Sequence, residues 1–124
     1  MIFDKKIYNL IVTKLSSYFP GGVFAHNLPK NFDFKKPTLV LQYKLNNRIR
    51  SLDGDSGLSE YEVQLVIISK NTQTNAELSD VIFDTLDGYE DENVLENILV
   101  DDLNTSEDDG LYTKTMNYRF LYQS

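Results

Sequence analysis

Apolar residues near the start of the chain recur at spacings of three, four and seven: Phe3, Ile7, Leu10, Ile11, Leu15 and Tyr18. On a helix they share one face, so the pattern predicts an amphipathic helix over 3–19. Asp4 suits its first turn, and Phe19-Pro20-Gly21-Gly22 stops it. Residues 20–37 are punctuated by Pro20, Gly21, Gly22, Pro29 and Pro37 and read as loop, with a short edge strand at Val23-Phe24-Ala25. Phe32 and Phe34 alternate with polar neighbours and share a face.

The period then changes to two. Over 38–48, Leu39, Leu41, Tyr43 and Leu45 point one way, while Val40, Gln42 and Lys44 point the other. Over 60–69, Tyr61, Val63, Leu65 and Ile67 share a face. The opposite face carries Glu62 and Gln64, then Val66 and Ile68, so it starts wet and ends buried. These two strands make an antiparallel hairpin with a long tip over 49–57, centred on Asp53-Gly54-Asp55-Ser56-Gly57. Long connections of this kind are functional more often than minimal turns.

Thr74-Asn-Ala-Glu77 fits a capping box and opens a second helix over 74–88, with Leu78, Val81, Ile82 and Leu86 inward and Gly88 closing it. An acidic turn over 89–93 precedes a strand over 94–103, with Ile98 and Val100 on one face. A second acidic turn, Thr105-Ser-Glu-Asp-Asp-Gly110, leads into the strongest strand pattern in the chain. There Tyr112, Lys114, Met116, Tyr118, Phe120 and Tyr122 alternate with Leu111, Thr113, Thr115, Asn117, Arg119 and Leu121. The elements predict a single α+β domain over 1–124. It has an antiparallel or mixed four- to five-stranded sheet, two helices packed on one face and a projecting β-hairpin.

Length and charge narrow the function classes. A chain of 124 residues supports one real core. The net charge of −7 argues against broad contact with a nucleic-acid backbone or anionic lipid, which needs clustered Lys and Arg. Such a charge keeps a protein soluble; it equally suits an acidic surface facing a basic partner. There is no cysteine, so disulfides and thiolate metal sites are excluded. The longest apolar runs, such as Leu65-Val-Ile-Ile68, fall far short of a bilayer span, and no membrane partner is expected. The start Met1-Ile-Phe-Asp-Lys-Lys6 lacks the order of a signal peptide, so the expected site of folding is a reducing cytoplasm.

No catalytic site is legible. Gly54-Asp-Ser-Gly57 copies a serine-protease nucleophile motif, and Ala25-His26 faintly echoes its histidine partner. The motif's next glycine is Leu58 here, and His26 is followed by Asn27, so a surface turn explains the same letters. Asp53, Asp55 and Gly57 suggest a calcium loop, but Leu58 and Gln64 stand where it needs glycine and glutamate. A single histidine rules out a multi-histidine metal centre within one chain, and no phosphate-binding glycine loop is present. The expectation is a non-enzyme with no cofactor, no metal and no catalytic residue. Eight tyrosines and seven phenylalanines fit a core and sheet face, and equally a protein–protein interface.

One resemblance spans nearly the whole chain. Pro37-Thr-Leu-Val-Leu-Gln-Tyr43 leads a strand after a starting helix and loop. A glycine turn precedes Glu62-Val-Gln-Leu-Val66, a helix follows over 75–86, and an acidic loop precedes the tyrosine-rich strand 112–122. This series resembles the tail-completion or tail-terminator proteins of long-tailed bacteriophages, with their head–tail joining relatives. The resemblance implies a virion structural protein, made in the bacterial host cytoplasm. It would form a ring of six copies that ends the tail tube and joins it to the head connector. It implies as partners sister subunits, the major tail tube protein and a head connector or stopper protein, with DNA only passing through the channel. The hairpin 45–60 becomes the candidate contact arm, with Asn46, Arg48, Ile49, Arg50, Leu52, Asp53, Leu58 and Tyr61 as subunit-interface residues. The same features leave open a head-completion or minor capsid protein of that connector, or a small cytoplasmic binding module.

Overall fold

The computed structural model describes residues 2–25, 36–51, 54–87, 89, 94–104 and 110–123. Helix α1 (Ile2–Leu15) is followed by a short 3-10 turn, Ser16–Tyr18. Strands β1 (Val23–Ala25), β2 (Thr38–Ser51) and β3 (Gly54–Ser69) come next, then helix α2 (Thr72–Leu86), β4 (Val94–Asn104) and β5 (Tyr112–Gln123). The fold class is α+β, built on a mixed five-stranded sheet of order β1-β2-β3-β5-β4. β1 runs parallel to β2, and every other neighbouring pair is antiparallel.

One face of the sheet is the core. On β3, Tyr61, Val63, Leu65 and Ile67 are buried, and on β5 so are Met116, Tyr118, Phe120 and Tyr122. The register sets these residues side by side: Tyr61 opposite Phe120, Val63 opposite Tyr118, Leu65 opposite Met116. Leu39 and Leu41 of β2 lie opposite Ile67 and Leu65 and continue the layer. Ile7, Ile11 and Leu15 of α1 and Leu78, Ile82 and Leu86 of α2 join the same cluster, so both helices cover this face. Each fully buried aliphatic side chain here contributes about 1.5–3 kcal/mol. The Tyr8 hydroxyl ties α1 to the sheet by donating to the Val23 carbonyl at 3.2 Å.

Two local devices differ from the sequence expectation. The first helix tightens into a 3-10 turn after Leu15, and Phe19, 2% exposed, enters the core. The second helix begins earlier than its apparent capping box. Asn71 is the N-cap, its side chain accepting from the Gln73 N–H at 2.7 Å and the Thr74 N–H at 3.4 Å. Thr74 therefore lies inside the helix. Asparagine caps as well as threonine does, and an Asn at 71 lets the helix start at Thr72. The expected closing residue, Gly88, lies outside the described residues, as do Phe32 and Phe34.

Gly21 and Gly22 set the turn into β1. A methyl group on Gly21 would fall 2.2 Å from the Thr38 hydroxyl and 2.8 Å from the Lys36 and Pro37 carbonyls. Gly22 has φ of 109°, which L side chains rarely adopt. The Gly21 N–H bonds the Pro37 carbonyl at 2.9 Å, and the Leu39 N–H bonds the Gly22 carbonyl at 3.1 Å. That close approach brings β1 alongside β2.

Candidate assembly surfaces

The ribbon formed by β2 and β3 is more strand and less loop than its sequence predicts. Pairing continues to Ser51 opposite Gly54, so only Leu52 and Asp53, outside the described residues, separate the strands. Two irregularities shape it. Leu45 lies opposite Tyr61 and Asn47 opposite Glu60, which makes Asn46 an inserted residue. Ile49 lies opposite Leu58 and Arg50 opposite Asp55, which inserts Ser56 and Gly57 on the other strand. A glycine tolerates such a bulge, so the letters that signal a turn serve here as a break within a strand. The fifth strand meets β3 only from Leu58, opposite Gln123, onward. Among the described strands, the rungs Arg50–Asp55 and Ser51–Gly54 therefore belong to β2 and β3 alone.

The expected interface residues divide by position. Arg48, Ile49, Arg50 and Leu58 take register places along the ribbon, and Asn46 is its inserted residue. Leu52 and Asp53 lie outside the described residues. Tyr61 is different: it is 5% exposed, and its ring meets Tyr122 edge to face, with centroids 6.0 Å apart and planes at 83°. It roots the ribbon in the core.

The second face of the sheet is chemically graded. Glu62 and Gln64 of β3 sit opposite Arg119 and Asn117 of β5; further along, Val66 and Ile68 sit opposite Thr115 and Thr113. All four β3 positions are half-buried, so the apolar end is less covered than the alternation predicts. Val40 and Thr38, on the neighbouring strand, are buried at 7% and 0%.

The fourth strand also departs from a simple period of two. Its pairing with β5 shifts between Val94 and Glu96 and again between Leu99 and Asp101. Val94 and Asn97 are buried and Leu99 half-buried, while Val100 is 53% exposed. The Asn97 side-chain amide donates to the Leu86 carbonyl at the end of α2, which also accepts the Tyr89 N–H at 2.9 Å.

The catalytic look-alikes gain no geometry. Ser56 is a bulge position in β3, and His26 and Asp53 lie outside the described residues. Among the described residues no three His, Asp or Glu are grouped to hold a metal ion. No described helix is long and apolar enough to cross a membrane.

No protein-family model matches the chain, and no curated protein matches it. Its fold does have a counterpart. The chain is similar to a chain of the virion of a native gene transfer agent particle. The two superpose with a TM-score of 0.64 over 95% of this chain and 84% of the other, at 10% sequence identity. The likeness is one of fold, and it takes in both helices and the sheet.

Proposed function

We propose that the protein is a structural component of a phage-type virion, without enzymatic activity. In this reading it forms a ring that ends the tail tube and joins it to the head connector. The observation that carries the reading is the likeness in fold, over nearly the whole chain, to a chain of a gene transfer agent virion. The series of sequence elements from Pro37 to Tyr122, which resembles tail terminators, points the same way.

The physical chemistry supports it. A ring needs head-to-tail contacts that close, and a sheet with paired ribbons and strand edges supplies them. Subunits, the tail tube protein and a connector protein are the partners; DNA passes through without being held. A chain of net charge −7 repels phosphates rather than trapping them, which suits a channel wall.

Electron microscopy of the purified chain, alone and mixed with tail tubes, tests the reading. Rings seated on one end of the tube are expected. An antibody label found on the head side of the joint would assign the chain to head completion instead. A chain that stays monomeric and binds neither tubes nor heads would leave a small binding module.

A further inference from the structure

Two outer stretches of the sheet, one on β2 and one on β4, hold residues of opposite charge. On one side, β1 covers only Leu39 to Leu41 of β2, so positions 42–51 have a described strand, β3, on one side only. This stretch holds Lys44, Arg48 and Arg50 and no acid. On the other side, β4 has a described strand, β5, on one side only, and it holds Glu96, Asp101 and Asp102 and no base. The stretches match in length, at roughly 35 Å each.

Their directions match too. β2 opposes β3, β3 opposes β5, and β5 opposes β4, so β2 and β4 run in opposite senses. If the β4 of one copy is laid beside the β2 of the next, the joint is antiparallel and the sheet continues through it. Twofold joints, β2 on β2 or β4 on β4, would set like charges together. The acids opposite the basic stretch on β3, Glu62 by Lys44 and Asp55 by Arg50, lie one strand further in. β1 occupies the near end of the β2 edge, which displaces the incoming strand toward the ribbon tip. A stagger repeated at each joint is what a closed ring of tilted strands requires. The shifts at Asn46 and along β4 twist both edges, which discourages pairing with arbitrary flat strands.

We propose that copies of this chain assemble head to tail by antiparallel pairing of the acidic β4 edge with the basic outer edge of β2 at positions 42–51. This inference rests on the ring reading and names its subunit joint.

Charge reversal tests it. One variant carries Lys44→Glu, Arg48→Glu and Arg50→Glu; the other carries Glu96→Lys, Asp101→Lys and Asp102→Lys. Native mass spectrometry and sedimentation follow assembly, and circular dichroism checks the fold of each. Each variant alone should assemble roughly a hundredfold more weakly, as attractions between opposite charges become repulsions. An equimolar mixture should reassemble, because every joint in an alternating ring is again complementary. If both variants assemble alone as well as the wild type, the edge joint is overturned and the ring reading stands. A wild-type chain that is monomeric at every concentration, and on tail tubes, overturns both. Cysteine scanning gives a second arm, since the chain has no cysteine. Arg48→Cys combined in turn with a cysteine at each of 94–102 should give a ladder of oxidised oligomers from at least one pair. Dimers from Arg48→Cys alone, or no ladder from any pair, would overturn the joint.

Discussion

The Ser69 hydroxyl lies 2.6 Å from Oδ1 of Asn75, joining the end of β3 to the first turn of α2 inside the protein. Asn75 is 3% exposed and also donates from Nδ2 to the Tyr112 carbonyl at 3.1 Å, so one amide links β3, α2 and β5. Ser69 accepts the Asn71 N–H at 3.2 Å as well. Replacing Asn75 by Ala strands buried partners and should lower stability by about 1–3 kcal/mol. Ser69→Ala and Asn75→Ala together should cost less than the sum of the single changes, because they share a bond. Urea unfolding of the four proteins measures this, and strict additivity would refute the coupling.

The cap assignment makes a contrast. Asn71→Ala should cost about 1 kcal/mol, since two helix N–H groups lose their acceptor. Thr74→Ala should change stability by less than about 0.5 kcal/mol, as a substitution away from any cap. Thermal unfolding ranks the two. The reverse order would restore the capping box read from Thr74 and Glu77.

Gly21 is a steric test. Gly21→Ala places a methyl group against the Thr38 hydroxyl and two backbone carbonyls, which cannot rotate away. The expected cost is about 1–3 kcal/mol, the range for overpacking. Thr38→Ser keeps the crowded hydroxyl and should not rescue it, because the Lys36 and Pro37 carbonyls remain. Gly110 has positive φ too but open space around it, so Gly110→Asn should be the milder change. Melting temperatures of the three variants decide.

The edge-to-face pair of Tyr61 and Tyr122 should show its own coupling. Each Tyr→Leu change removes a buried ring from the base of the ribbon. A double-mutant cycle should return about 0.5–1.5 kcal/mol between them. A coupling near zero would mean that the rings contribute only through burial.

Alternation alone located much of this fold. A period of two put Val63 with Leu65 on one face of β3 and Met116 with Phe120 on one face of β5, and the pairing register joined those faces into one layer. The spacing of Ile7, Ile11 and Leu15 likewise identified the buried side of α1. Local rules failed where two chemistries compete for the same letters. Gly54 to Gly57 reads as a turn, but cross-strand pairing with Arg50 and Ser51 draws Gly54 and Asp55 into β3 and leaves Ser56-Gly57 as a bulge. Thr74 and Glu77 read as a cap, but Asn71 precedes them and begins the helix sooner. On β4, two register shifts broke the period, so Asn97 turned inward and Val100 outward.

The candidate joint was half visible. Basic residues on 42–51 and acidic ones on 94–104 are plain in the sequence, yet 46 or more positions separate them from each other along the chain. Sequence determined which residues are apolar, which strands alternate and which segments are charged, since these depend on neighbours a few positions away. Only the tertiary structure decided the order β1-β2-β3-β5-β4, with β5 between β3 and β4 and the charged strands β2 and β4 on opposite sides of that pair. That order depends on long-range burial and backbone pairing, which no local window contains.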